Sequence, residues 1–381
     1  MSTANYYIPI LKWKRAEQRA IRALEDRDRD FIMPLIELVM PTVSIYKKED
    51  KKQIKNQEET FKEVVQKFKQ KRTKEISPEI LQSWGPRPVF LDFTLLHEGQ
   101  LTTQLKIDSL NKIIPTGMGM GLKLIPVVNL NDDPRIKEVV CPLSKKYNQG
   151  LCLRITSSDL ANIEDLNRKI KTFLIDFNVS RENIDLLVDI KEIKEIGGMY
   201  LQFMNASQKI EKLPEWRRFI FASGSFPENL SECKFDEPTF LPRFDWQNWL
   251  RHIRGKKLIR YSNFADYSIR NPIFNESLQY YNSTTSIKYA LENDWLIMKG
   301  RVHKYGHYLA NAKLLVEDTT YFFGEGFSWG DNNIAQKAKY YYQYVKNHLT
   351  SGTGRTEDWI AWCISHHLIS VINQISKLPR G

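Results

Sequence analysis

Short apolar runs alternate with helical patterns along the first three quarters of this chain, and almost every run ends on a polar or charged side chain. "YYIPILK" ends at Lys12, "FIMPLIEL" carries Glu37, "RPVFLDFTLL" carries Asp92 and "LKLIPVVNL" carries Asn129. "GLCLRI" carries Arg154, "IDLLVDI" carries Asp189, "RRFIFASGS" ends near Ser223 and Ser225, and "KKLIRYS" ends near Ser262. Near-continuous apolarity marks strands buried on both faces, the habit of parallel sheets. Helical spacings lie between the runs, as at Ile54, Phe61, Val64, Val65 and Phe68, or Leu160, Ile163, Leu166, Ile170 and Phe173. "SPEIL" at 77–81 reads as a helix start, with Ser77 as cap and Pro78 in the first turn. "FDWQNWLRHI" reads as a helix ahead of the eighth run.

Eight strand–helix units predict an α/β fold: a closed (β/α)8, TIM-like barrel over residues 5–285. An open doubly wound sheet is the rival, but it builds its site at one switch point from few strand ends. "GMGMG" at 117–121 precedes a strand instead of following one, so a dinucleotide fingerprint is excluded by context. Residues 286–381 read as a C-terminal α+β extension packing on the barrel. It begins with two short strands joined at Asn293-Asp294. A helix to about residue 349, a turn at "SGTG" and a last helix over about 356–377, capped by Thr356, follow. No Pro-, Gly- or Ser-rich linker intervenes, so residues 1–381 are read as one domain.

In a barrel the strand C-termini converge on one face, where side chains no longer need to be apolar. Lys12, Lys14, Glu37, Asp92, Asn129, Arg154 and Asp189 would stand around that rim; charges buried at mid-strand would be costly unless paired, while at the rim opposite charges can pair or hold a polar ligand. Two readings stay open: a site for a small polar or anionic ligand, and an ion-pair network that closes the mouth. As catalytic candidates, Lys12, Glu37, Asp92 and Asp189 suit acid/base work by paired carboxylates or a desolvated amine acting as base or Schiff-base nucleophile. "SGSFP" at 223–227 resembles an anion-accepting loop, and "DYSIRNP" places Asp266 and Arg270 beyond the eighth strand.

A net charge of +11 admits nucleic acid as a partner, and residues 47–75 hold eleven Lys/Arg against six Asp/Glu. Few aromatic residues interleave there, so a base-stacking surface is not suggested. The four cysteines are far apart, with no CxxC pair, as expected in a reducing cytoplasm. No apolar run approaches a membrane span, and no signal peptide is apparent. His303, His307, His366 and His367 lack an HExxH frame or third ligand, so no metal is expected, and no cofactor motif is read. Adjacent His366 and His367 on a helix point about 100° apart, so at most one faces a given site. Trp329, Trp359 and Trp362 read as packing residues.

"YYIPILKWKRAEQRAI", "IMPLIEL", "IKYALENDWLIMKG", "FFGEGFSWGD" and the "W…SHH" of the last helix together resemble the beta protein family of phage satellites and prophage-like islands. The resemblance spans nearly the whole chain and places Lys12, Lys14, Glu37, Ser328, Gly330, Asp331, His366 and His367 at motif positions. It implies a cytoplasmic role in antiviral defence: a toxin-countering, antitoxin- or immunity-like protein acting on a toxin-like protein encoded nearby. It carries over no catalytic residues. Asp331 and His366 join the rim residues as ligand-binding candidates. An enzyme acting on a phosphorylated, glycosidic or nucleotide-like substrate is the alternative, and nucleic-acid binding through 47–75 a second one.

Overall fold

The computed structural model describes residues 6–40, 57–96, 101–255, 258–274 and 284–378. Eight parallel strands close into a barrel: β1 (Tyr7–Lys12), β2 (Leu35–Glu37), β3 (Pro88–Asp92), β4 (Lys123–Asn129), β5 (Leu151–Thr156), β6 (Ile184–Glu192), β7 (Arg218–Gly224) and β9 (Asn263–Asp266), which pairs back onto β1. A three-stranded antiparallel sheet forms separately from β8 (Pro238–Pro242), β10 (Thr284–Ala290) and β11 (Asp294–Val302). The predicted hairpin is therefore present, and β8, lying between β7 and β9, joins it as a third strand.

Two cores follow from strand alternation. Residues such as Ile10, Leu35, Phe90, Val127, Cys152 and Leu187 point inward and plug the barrel. Their neighbours, such as Leu11, Ile36, Leu91, Val128, Leu153 and Val188, point outward into the helical shell. The period of two then dictates the next layer: two residues beyond each plug residue stand Lys12, Glu37, Asp92, Asn129, Arg154 and Asp189. Helices Arg15–Arg22, Thr73–Trp84, Thr102–Gly119, Pro134–Lys146, Ile163–Asp176, Gly198–Ser207 and Phe244–Gly255 follow successive strands. Thr356–Ser376 packs beside Arg15–Arg22 and against β1, completing the ring from the extension.

Three local expectations are corrected. The eighth strand is Asn263–Asp266, and 258–262 form a connection whose Arg260 guanidinium donates to the carbonyls of Leu213 (3.1 Å) and Arg217 (3.2 Å). Ser77 and Pro78 lie inside a helix that begins upstream of them; the Ser77 hydroxyl donates to the Ile113 carbonyl at 3.0 Å instead of capping. Arg355, not Thr356, occupies the cap of the last helix, its N–H donating to Asp358 at 2.8 Å. Trp359 and Trp362 pack against each other, and Trp359 stacks on Tyr308. Residues 41–56, which carry part of the basic stretch and Ile54, lie outside the described residues.

Candidate functional site

Six of the predicted tips meet at the C-terminal mouth, five of them around Arg154 or Lys12. Arg154 is buried and donates six hydrogen bonds. Nε and Nη2 reach Asp189 at 3.0 and 2.6 Å, Nη1 and Nη2 reach Glu37 at 3.0 Å each, Nη1 reaches Asp92, and Nη2 reaches the Tyr267 hydroxyl at 2.8 Å. The planar fork of guanidinium suits such multiple carboxylate contacts, where a lysine would not. The two aspartates each divide their oxygens. Asp92 Oδ1 accepts the Thr94 N–H at 2.7 Å and Asp189 Oδ1 the Lys191 N–H at 3.0 Å, leaving Oδ2 for Arg154. Aspartate at a strand tip thus caps its own loop and anchors the cluster.

Burial works against these charges, yet Lys191 and Arg154 hold the Asp189 carboxyl below the usual carboxylate range. Burial likewise disfavours the Arg154 cation, but Tyr267, Asp189, Asp92 and Glu37 keep it protonated. Burial pushes the Tyr267 phenol well up, and Asp189 adds to that. Glu37 and Asp189 clamp the same Nη2, so guanidinium fills the space where a glycosidase holds water and sugar between its carboxylates. The carboxylates are committed to the ion cluster.

The amines are placed differently. Lys12 is 8 % exposed, donates to the Asn271 carbonyl at 3.3 Å, and lies 5.9 and 5.4 Å from the Tyr267 and Phe274 ring centroids. Burial brings its ammonium down to a pKa of about 8, against the pull of Glu37; Arg270 and Lys191 also lower it. Lys191 donates to the Tyr267 hydroxyl at 2.8 Å, sits 3.1 Å from Asp189, and keeps 37 % of its side chain exposed. Its φ of +60° follows a register shift in β6 between Asp189 and Glu192, a bulge of the kind that re-aims a side chain. Lys14 lies 5.7 Å from the Phe274 ring. Asn129 stands at the rim but bonds to its own side of it, donating to Thr94 Oγ1 at 3.1 Å and, through its N–H, to Asp132 at 2.7 Å.

The other candidates are elsewhere. On β7 it is Ala222 and Gly224 that face inward, so Ser223 and Ser225 point outward, and Ser225 donates to Asp245 at 2.7 Å. A Cβ on Gly224 would crowd Tyr267, so glycine makes room for that ring. Asp266 also points outward, between Ala265 and Tyr267, and binds Tyr7 (2.6 Å) and His367 (2.8 Å) beneath the last helix. Arg270 pairs with Glu17 at 3.1 Å. Asp331 and His366 form a buried pair at 2.9 Å inside the extension, joined by Tyr289 and Ser328. The two adjacent histidines therefore serve two separate carboxylates. His307 pairs with Asp236. No metal-binding group of His, Cys, Asp and Glu occurs among the described residues.

Sequence reading missed Lys191 and Tyr267. Lys191 lies two residues beyond Asp189, but a bulge that no local pattern announces aims it at Tyr267. Tyr267 follows from the true register of the eighth strand.

A closed parallel barrel that gathers charged strand tips on a buried arginine defines a (β/α)8 protein with a polar C-terminal mouth. The chain belongs to the Beta protein family, whose model matches residues 7–373. Its fold is similar to type I 3-dehydroquinate dehydratase of Clostridium difficile, at 13 % identity and TM-score 0.38, covering 71 % of this chain and 88 % of that one. Triosephosphate isomerase of Bartonella henselae is similar at 11 % identity and TM-score 0.26, covering 68 % and 90 %. A search of curated proteins found no match. No helix among the described residues is long and apolar enough to cross a membrane.

Proposed function

We propose that this chain is a phage-defence or toxin-countering protein that acts on a protein partner, and that its barrel mouth receives a small anionic ligand. Membership of the Beta protein family supports the defence role. The ligand site rests on one observation: Arg154 holds all three mouth carboxylates, while Lys191, paired with Asp189, keeps over a third of its side chain in solvent beside the buried Lys12 and Tyr267. Three carboxylates against one guanidinium leave the cluster two negative charges that Lys191 and Lys12 balance, and of these two cations Lys191 is the one whose ammonium an incoming anion can reach from solvent.

The test is co-expression with the product of the adjacent gene. That product should arrest growth alone and lose its effect when this chain is present. A harmless neighbour, or arrest that this chain leaves untouched, overturns the toxin-countering role.

A further inference from the structure

Lys12 has the setting of a covalent amine. Its Nζ lies between two aromatic rings, with a single carbonyl as its hydrogen-bond acceptor among the described residues. A second amine, Lys191, stands 4.9 Å from the centroid of the same Tyr267 ring and bonds its hydroxyl. That hydroxyl in turn donates to Asp189 at 2.7 Å. One amine is thus sheltered and the other is a wet proton donor wired to a buried carboxylate.

We propose that Lys12 condenses with the carbonyl group of a small oxo acid to form an imine, with Lys191 as proton donor and carboxylate anchor. This rests on the reading of the mouth as an anion site. The Lys12 nitrogen lone pair attacks the carbonyl carbon, and the C=O π pair moves to oxygen, which takes a proton from the Lys191 ammonium. The nitrogen then loses its extra proton to Lys191, the Lys191 ammonium protonates the hydroxyl, which leaves as water as the nitrogen lone pair forms C=N, and the iminium returns its N–H proton to Lys191. Amine plus carbonyl gives imine plus water, with no oxidant or reductant. The carboxylate of the acid pairs with ammonium, and the aromatic walls exclude the water that would reverse the step. Burial of Lys12 keeps about half of it as free amine near pH 8, where an ordinary lysine is almost wholly protonated.

The test incubates the full chain at pH 8 with glyoxylate, reduces with borohydride, and maps modified lysines by peptide mass spectrometry. Lys12 should carry a carboxymethyl group at a rate about 10²-fold above that of an ordinary exposed lysine, from the difference in free amine. Lys191→Asn, which tolerates the left-handed backbone, should slow the Lys12 adduct by about 10²-fold, the usual contribution of a positioned proton donor. Equal labelling of Lys12 and exposed lysines, or a Lys191→Asn variant that labels as fast as the parent, overturns the proposal. Oxo-acid binding measured by calorimetry without any Lys12 adduct overturns the imine and leaves the anion site standing. Absence of binding as well overturns both.

Discussion

Replacing Arg154 by methionine is the perturbation that the mouth geometry specifies most sharply. The guanidinium holds Glu37, Asp92, Asp189 and Tyr267 through six hydrogen bonds, and every partner is as buried as Arg154 itself. Methionine fits the volume roughly but leaves three carboxylates facing one another in low dielectric. Breaking a buried ion cluster from one side costs about 3–5 kcal/mol. The loss depends on pH with a defined sign. In the parent, Asp189 has a depressed pKa, so its contribution is present above the unfolded carboxylate value and is lost as pH falls. In Arg154→Met the carboxylates have no counter-charge but Lys191 and Lys12, and their folded values rise above the unfolded ones. Protonation then favours the folded variant, so its deficit against the parent shrinks between pH 7 and pH 5. Urea unfolding followed by tryptophan fluorescence at both pH values reads this directly. Adding Glu37→Gln and Asp189→Asn to Arg154→Met should recover most of the loss at pH 7. A deficit below about 1 kcal/mol, the ordinary worth of an exposed pair, or one that does not change with pH, would refute the buried-cluster reasoning.

Further outcomes follow from other sites. Lys12→Met should stabilise the fold at pH 7 by up to about 3 kcal/mol in urea unfolding, because burial lowers its pKa to about 8 and the parent carries that cost until pH rises through 8 towards the unfolded value. Gly330→Ala should destabilise by about 1–3 kcal/mol, since a Cβ would collide with the Trp362 carbonyl where helix Trp329–Lys346 crosses the last helix. His367 is lowered by burial despite Asp266, so the parent should lose stability as pH falls below about 6.5, and His367→Gln should flatten that segment of the pH–stability curve.

The barrel was legible because its strands are long apolar runs and the polar tip recurs at a fixed offset from them. The rim was legible for the same reason: a period of two carries Ile10 to Lys12 and Leu187 to Asp189. The eighth strand was not. Its four residues, "NFAD", give little apolar signal, while Leu258 and Ile259 just upstream imitate a strand. That displacement hid Tyr267 and put Asp266 on the wrong face. β8 escaped notice because "PTFLP" is short and bounded by prolines, which ordinarily argue against a strand. Ser77-Pro78 looked like a helix start because that pair is a good one, and only tertiary packing carries the helix through it. The histidine pair lay beyond reach for a different reason. Which carboxylate each ring meets depends on how the extension docks, and no local pattern encodes that.

Tying the proposed restraint of a partner to the proposed anion site at the barrel mouth gives a prediction that one growth measurement tests. Cells carrying the adjacent gene are supplied with the parent chain or with Lys191→Asn, each shown to be folded by its thermal unfolding. The account predicts growth with the parent and arrest with Lys191→Asn. Equal growth with both chains would contradict it, since the partner would then be restrained without the mouth.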